Sequence, residues 1–416
     1  MKKMRGLLSV VASGLMAAAL CSVASARQAS GGAEWPQWRG PNRDGVSKET
    51  GLLKQWPEGG PPLVWKAQGA GIGYSSLAVA NGRVYTMGLR GEREYVIAFD
   101  AATGKELWAT PNGSAYRDSR GDGPRGTPTV DGERLYALGG NGDLSALDAK
   151  TGKVVWAMNV LEKFGASNIG WGISESPLVL GDKLLINPGG RGASLVALDK
   201  RDGRVLWKSA SDKAGYSSAI PVQAGGKTQV VFFTQERAVG VDPADGKILW
   251  EYAKPSNDTA NVATPVARGN RVFISSDYGT GGGVVEIKPD GAGAREVYFT
   301  REMRNHHSTS ILIGEHLYGF SGAVLTAMRF DTGEIAWKDR SVGKGSLAYA
   351  DGMLYALSEN GVVGLIEATP AGYKEKGRFS LPDKTGRNCW VYPVVANGRL
   401  YVRNNDGLSV FELKAK

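Results

Sequence analysis

The sequence runs to 416 residues with 59 Gly, 11 Trp, 3 His and 2 Cys, and carries 42% apolar residues, 22% charged residues and a formal charge of +9. That apolar share sustains a large core, while so few His and Cys exclude a Cys-x-x-Cys-His haem site, a zinc ligand set and a disulfide network. Glycine is about 14% of the chain, roughly twice the globular norm, but it falls in turn dipeptides such as Asn81-Gly82, Asp131-Gly132 and Asp351-Gly352, not in a collagen period.

At the N-terminus, Lys2, Lys3 and Arg5 precede an apolar stretch over residues 6–23, and Ala24-Ser25-Ala26 fits a small-x-small cleavage site. This is the three-part pattern of a secretory signal, so residues 1–26 read as an address. Cleavage is expected after Ala26, with a periplasmic or secreted destination. A retained membrane anchor is the competing reading, and the Ser and Gly interruptions and the cleavage site weigh against it. Cys21 does not mark a lipoprotein, because Leu20 stands where a small residue is required. Cleavage removes three of the 50 basic residues and none of the 41 acidic ones, lowering the formal charge from +9 to +6. With no Lys/Arg run, nucleic acid is not expected as a partner. No later segment approaches about 18 uninterrupted apolar residues, so no transmembrane segment is expected in the mature chain.

Residues 27–62 read as an N-terminal extension, after which the chain repeats itself. The copies are Ala98-Phe-Asp-Ala-Ala-Thr-Gly-Lys-Glu-Leu-Trp108, Ala146-Leu-Asp-Ala-Lys-Thr-Gly-Lys-Val-Val-Trp156, Ala197-Leu-Asp-Lys-Arg-Asp-Gly-Arg-Val-Leu-Trp207 and Gly240-Val-Asp-Pro-Ala-Asp-Gly-Lys-Ile-Leu-Trp250. A shorter copy ends at Trp337, weaker ones end at Phe299 and Phe379, and Trp65 stands one period before Trp108. The mean spacing of these eight aromatics is about 45 residues, in the range of propeller blades. Within each period, short apolar runs alternate with Asn-Gly, Asp-Gly or Thr-Gly turns, the grammar of four antiparallel strands. Only three strands follow Phe379, whereas the strand at residues 63–65 is an orphan at the other end. Pairing them predicts an all-β, eight-bladed propeller over residues 63–416, closed by an N-terminal outer strand that leaves no free edge. Recurrence in every period assigns the aromatic a packing role between blades. The Asp-x-x-Thr-Gly-Lys stretch lacks the alternating ligands of a calcium loop and reads as a turn.

These copies resemble the tryptophan-docking motif of pyrroloquinoline quinone (PQQ)-type β-propellers. That family includes quinoprotein alcohol dehydrogenases and the outer-membrane assembly lipoprotein BamB. The opening Trp35-Pro-Gln-Trp-Arg-Gly-Pro-Asn-Arg-Asp-Gly45 is also similar to the start of uncharacterised bacterial PQQ-like propeller proteins. The motif specifies the fold far more narrowly than the function.

In a propeller the segments leading into each innermost strand gather around the channel, where function is sought. Anchoring each period on the small residue before its first strand gives Ser76, Thr127, Ser176, Ser218, Thr264, Thr309, Ser346 and Tyr392, a structural position. Two places upstream stand Tyr74, Arg125, Ser174, Tyr216, Val262, His307, Lys344 and Trp390. Packing positions repeat one residue type. This one changes charge and shape from blade to blade, as residues facing a pore do. One place upstream, Glu175 stands alone among Ser, Gly, Ala and Val. The candidate channel cluster is therefore Arg125, Glu175, Tyr216, His307, Lys344 and Trp390, with Trp171 and His306 nearby. Arg and Lys suit a carboxylated ligand, Trp suits a planar ring, and His or Glu can act as a base. No metal site is expected, since adjacent His residues rarely share one ion.

Two functions follow from the resemblance. One is a monomeric periplasmic binding or protein-interaction scaffold, with a periplasmic or outer-membrane protein partner or a small molecule in the channel. The other is a PQQ-dependent alcohol or sugar dehydrogenase using PQQ with Ca²⁺. The dehydrogenases of the family carry an adjacent-Cys disulfide, a carboxylate-rich calcium site and long roofing insertions. This chain has no Cys pair and short blades, so the scaffold leads. A carbohydrate- or polymer-binding module is a third reading, resting on the aromatic and polar channel.

Overall fold

The computed structural model describes Met1, residues 33–383 and residues 386–415, so the leader and its cleavage site lie outside the described residues. Asn81-Gly82 joins Ala78–Ala80 to Arg83–Arg90 with φ of 53° and 70°, the two positive values a tight hairpin turn needs. Asp351-Gly352 and Asn397-Gly398 make the same turn in later blades. These turns fold the chain into eight four-stranded antiparallel sheets. The first runs Ala78–Ala80, Arg83–Arg90, Arg93–Asp100 and Glu106–Ser114. The eighth takes Val394–Ala396, Arg399–Asn404 and Gly407–Glu412 from the C-terminus and Leu63–Ala67 from the N-terminus, with Trp65 opposite Val410. The ring thus closes as its sequence predicts. The innermost strands Ala78–Ala80 and Val394–Ala396 are wholly buried, and the outermost strand Val154–Asn159 is half exposed.

Each docking aromatic sits on an outermost strand, and all but Trp250 cover the turn of the next blade. Trp250 donates Nε1 to Gln229 Oε1 of its own blade at 2.8 Å, and Gln229 Nε2 in turn donates to the Gly291 carbonyl of the next. A Cβ placed on Gly104 would stand 2.5 Å from Trp65, and one on Gly152 would stand 2.6 Å from Trp108. Only glycine meets both that contact and φ near +74°. The indoles of Trp65, Trp156, Trp207 and Trp337 also donate Nε1 to turn carbonyls of the next blade, at 2.8–3.2 Å. In the fifth blade the docking residue is Tyr298, which lies over Gly333 and donates its hydroxyl to the Phe330 carbonyl at 2.9 Å. This corrects the expected Phe299. Side chains alternate along a strand, so a one-residue difference turns Phe299 to the other face, where Lys254 lies over its ring. For Phe379 the next turn is supplied by the N-terminal segment. There Gly60 packs on the ring, and its N–H returns to the Pro57 carbonyl at 3.0 Å.

The segment before the closing strand is a strap across the ring. Trp35 exchanges backbone hydrogen bonds with Val79 of the first blade, and the Pro36 carbonyl takes the N–H of Val130 of the second. Arg43 reaches the third blade, donating to the carbonyls of Ser176 at 2.7 Å and Pro177 at 3.1 Å. Arg39 reaches the sixth, donating to the carbonyls of Thr309 and Ser310. Val46–Ser47 then adds a parallel fifth strand to Gly345–Ala350. Both arginines are 2% exposed and hold positive φ, a strained backbone kept in place by those contacts. One short helix, Val160–Phe164, capped by Asn159 and Gly165, lies in the connection between the second and third blades.

Candidate functional site

Seven of the eight anchor positions carry a hydroxyl-bearing small residue, and these residues link neighbouring blades around most of the channel. Ser76 N–H donates to Thr127 Oγ1 at 3.1 Å, Thr127 N–H to Ser176 Oγ at 2.9 Å, and Ser176 N–H to Ser218 Oγ at 2.9 Å. Farther round, Thr264 N–H donates to Thr309 Oγ1 at 3.0 Å, and Ser76 Oγ to the Tyr392 carbonyl at 3.0 Å. The strap closes the channel from one side. Trp38 donates Nε1 to Thr264 Oγ1 at 2.9 Å and meets Tyr392 edge-on, with ring centroids 4.6 Å apart. The channel is therefore a cup with a floor.

Above that floor lies a cavity of about 520 Å³, and all eight positions two residues upstream of the anchors line it. Of the candidate residues, Arg125, Trp171, Tyr216, His306, His307, Lys344 and Trp390 come together there. Glu175 does not, which corrects its place in the cluster. In the extended lead-in, neighbouring side chains point to opposite sides, so Ser174 faces the cavity and Glu175 turns into its own blade. Glu175 is 2% exposed and accepts the Asn187 N–H. Burial pushes its carboxyl up to about 8, against the pull of that N–H and the charge of Arg43.

The wall is an aromatic belt. Successive ring centroids stand 5.0 Å apart from Tyr74 to Trp390, 6.1 Å on to His307, 5.8 Å to His306 and 5.1 Å to Tyr278. Trp171 continues it, 6.4 Å from Tyr278 and 5.5 Å from Tyr216. Arg125 flanks the Tyr74 end of the belt, its guanidinium 5.5 Å from the Tyr74 ring centroid and 4.7 Å from that of Tyr116. Burial holds Arg125 below its ordinary pKa, and its NH1 and NH2 donate to the carbonyls of Gly123 and Gly121 at 2.7 and 2.8 Å.

One polar knot stands in this wall. Glu359 Oε1 accepts Trp390 Nε1 at 2.6 Å and lies 3.0 Å from Lys344 Nζ. His307 Nδ1 stands 3.6 Å from the same oxygen, beyond hydrogen-bonding reach. Burial, with Lys344 adding to it, holds His306 and His307 below the ordinary imidazole pKa, so both are neutral at pH 7. Reading the repeats missed Glu359, Tyr278 and Trp38. None of the three stands at the anchored position. The strap occurs once, so no periodicity marks Trp38.

A family model described as outer membrane protein assembly factor BamB matches residues 92–339. The chain belongs to that family of PQQ-like propellers. BamB of Yersinia pestis is 24% identical over 320 residues, 73% of this chain and 76% of its own length. Tetrathionate hydrolase of Acidithiobacillus ferrooxidans is 23% identical over 283 residues, 66% of this chain, and the match spans 49% of that enzyme's length. A europium-containing methanol dehydrogenase superposes with a TM-score of 0.66 at 12% identity, covering 90% of each chain. That likeness shows the fold. This PQQ-like propeller is thus related both to assembly factors and to quinoprotein dehydrogenases. Kinship with BamB agrees with a periplasmic or secreted location. Among the described residues, no helix is long and apolar enough to cross a membrane.

Proposed function

We propose that this chain is an exported, monomeric binding propeller that takes a small molecule into the cup. Its export follows cleavage after Ala26, and residues 63–416 are the propeller proper, with residues 27–62 as the strap and its lead-in. One observation carries the reading: the strap seals one end of the channel, so eight residues of seven different types face a blind, aromatic-walled cavity. A bore used only as scaffold has no need of a floor or of so varied a lining. A protein partner, such as an outer-membrane protein undergoing assembly, remains compatible with binding on the outer faces of the ring.

The dehydrogenase reading draws on the same cup, where aromatic faces and basic groups converge. Its calcium requirement does not fit the donors present. Among the described residues no group of three or more His, Cys, Asp or Glu side chains can hold a metal ion. Glu359, the one carboxylate among the described residues lining the cup, is already engaged by Lys344 and Trp390.

The purified mature protein, mixed with PQQ and Ca²⁺, tests the two readings through cofactor absorbance and dye-linked alcohol oxidation. The binding reading predicts no turnover. Turnover that is lost in folded Lys344→Ala and Arg125→Ala variants would replace it with the oxidoreductase.

A further inference from the structure

The rings of the aromatic belt stand on two kinds of backbone. Tyr74, Trp390, His307, His306, Trp171 and Tyr216 all belong to segments leading into innermost strands. Tyr278 does not. It sits at the tip of the hairpin turn between Arg271–Ser276 and Gly281–Ile287 of the fifth blade. The lead-in position of that blade is Val262, whose side chain is too short to continue the belt. Tyr278 fills the place instead, with ring centroids 5.1 Å from His306 and 6.4 Å from Trp171.

The turn holds Tyr278 under strain. The Asp277 carbonyl accepts the Thr280 N–H at 3.1 Å, with φ of 56° at Tyr278 and 83° at Gly279. In the tight turns of other blades Asn81, Asp351 and Asn397 take the first of these two positions, where a short polar side chain tolerates positive φ. A bulky ring there is an outlier, and such strain gathers at ligand clamps and switches. Below the tip the strand is fixed. Ser275 Oγ donates to the Met303 carbonyl at 2.7 Å, and Ser276 Oγ accepts Asn257 Nδ2 at 2.9 Å. The ring itself is loosely held. Tyr278 is 41% exposed, and among the described residues one hydrogen bond engages its hydroxyl, with His306 Nε2 at 3.0 Å.

We propose that Tyr278 is the gate of the cup. Rotation of its ring into solvent breaks that hydrogen bond and the two ring contacts, and opens the wall above Val262 to an incoming small molecule. Return of the ring shuts the wall again, on the microsecond-to-millisecond scale of lids. The gate rests on the binding reading above for its purpose, but its test needs no ligand.

Diethyl pyrocarbonate, which acylates a neutral imidazole nitrogen, tests it on the full purified protein at pH 7, with the modified sites read by peptide mass spectrometry. His306 Nδ1 is buried, so its one reachable nitrogen is the Nε2 that Tyr278 covers. His316 does not line the cup and serves as the internal control. Tyr278→Ala should raise the rate at His306 about tenfold or more, because a minor open state holds about 10% of the population or less. Tyr278→Phe keeps the ring and should raise it by about threefold, the loss of one hydrogen bond. The rate at His316 should not change in either variant. The Trp171 indole N–H should show relaxation dispersion in the unmodified protein that Tyr278→Ala abolishes, a signature that no fixed wall gives. Equal His306 rates with and without Tyr278→Ala, or a flat Trp171 dispersion profile in the unmodified protein, would overturn the gate. Either result leaves the binding reading standing, since that reading falls only if ligand titration finds no binding.

Discussion

Trp390 donates its indole N–H to Glu359 at 2.6 Å, and the same carboxylate oxygen holds Lys344 at 3.0 Å. A residue from the lead-in to the eighth blade is thereby tied to the end of a strand in the seventh. Glu359→Gln keeps an oxygen for the indole and removes the charge opposite Lys344, so it should cost about 1 kcal/mol or less. Glu359→Ala leaves both donors unpartnered and should cost about 1–3 kcal/mol. Urea denaturation of the two variants ranks them, and equal losses would contradict this role for the carboxylate.

The docking turns make a sharper stability prediction. Gly132 and Gly152 both hold positive φ, but a Cβ on Gly132 meets nothing within 4 Å, whereas one on Gly152 meets Trp108 at 2.6 Å. Gly132→Ala should therefore cost about 1 kcal/mol from backbone strain alone. Gly152→Ala should cost about 3 kcal/mol or more, because the indole must leave its seat. Chemical denaturation midpoints compare the pair directly.

These turns also show which features could be read from sequence. A contact made once per blade leaves its residues at a fixed period, so Trp108, Trp156 and Trp207 announced both the blade and its packing. The variable lead-in position was legible for the same reason: the invariant hydroxyl two places on supplies a ruler, and it carried Arg125, Lys344 and Trp390 to one cavity. Glu175 was misread because that ruler fixes position along the chain but not which side of an extended backbone faces the axis. Trp38, Arg39 and Arg43 were illegible. They belong to a segment that occurs once and is shaped by contacts with seven different blades, so nothing local encodes it.

Ring closure depends on a buried arginine as well as on strand pairing. Arg403, 0% exposed, donates from the eighth blade to Thr86 Oγ1 at 2.7 Å and to the carbonyls of Ser75 and Gly71 at 3.0 and 2.8 Å. Arg403→Met keeps most of the volume but strands those acceptors, and should cost about 3 kcal/mol or more. Thermal unfolding should show one lowered transition. An unchanged midpoint would mean that the closing strand alone holds the ring.

Burial raises Glu175 from 4.5 to about 8 in the folded chain. At this carboxyl the folded state therefore binds more protons than the unfolded state between those values, so the stability Glu175 contributes falls as pH rises from 4.5 to 8. The lowered imidazoles of His306 and His307 act in the opposite direction below pH 6.5. Glu94, raised to about 7 chiefly by burial, acts in the same direction as Glu175 over a narrower window. Glu175→Gln should flatten the stability profile most clearly between pH 7 and pH 8, where Glu94 contributes little. Denaturation midpoints measured across that interval check the sign.

The central claim is that the blind cup receives a ligand. Indole N–H resonances report it most directly, because Trp38, Trp171 and Trp390 line the cup, while Trp65, Trp108, Trp156, Trp207, Trp250 and Trp337 sit on the outermost strands. Titration of ¹⁵N-labelled protein with a small molecule that binds saturably should shift the three cup indoles together and leave the six outer ones in place. Saturable binding that moves only outer-strand indoles would contradict the account.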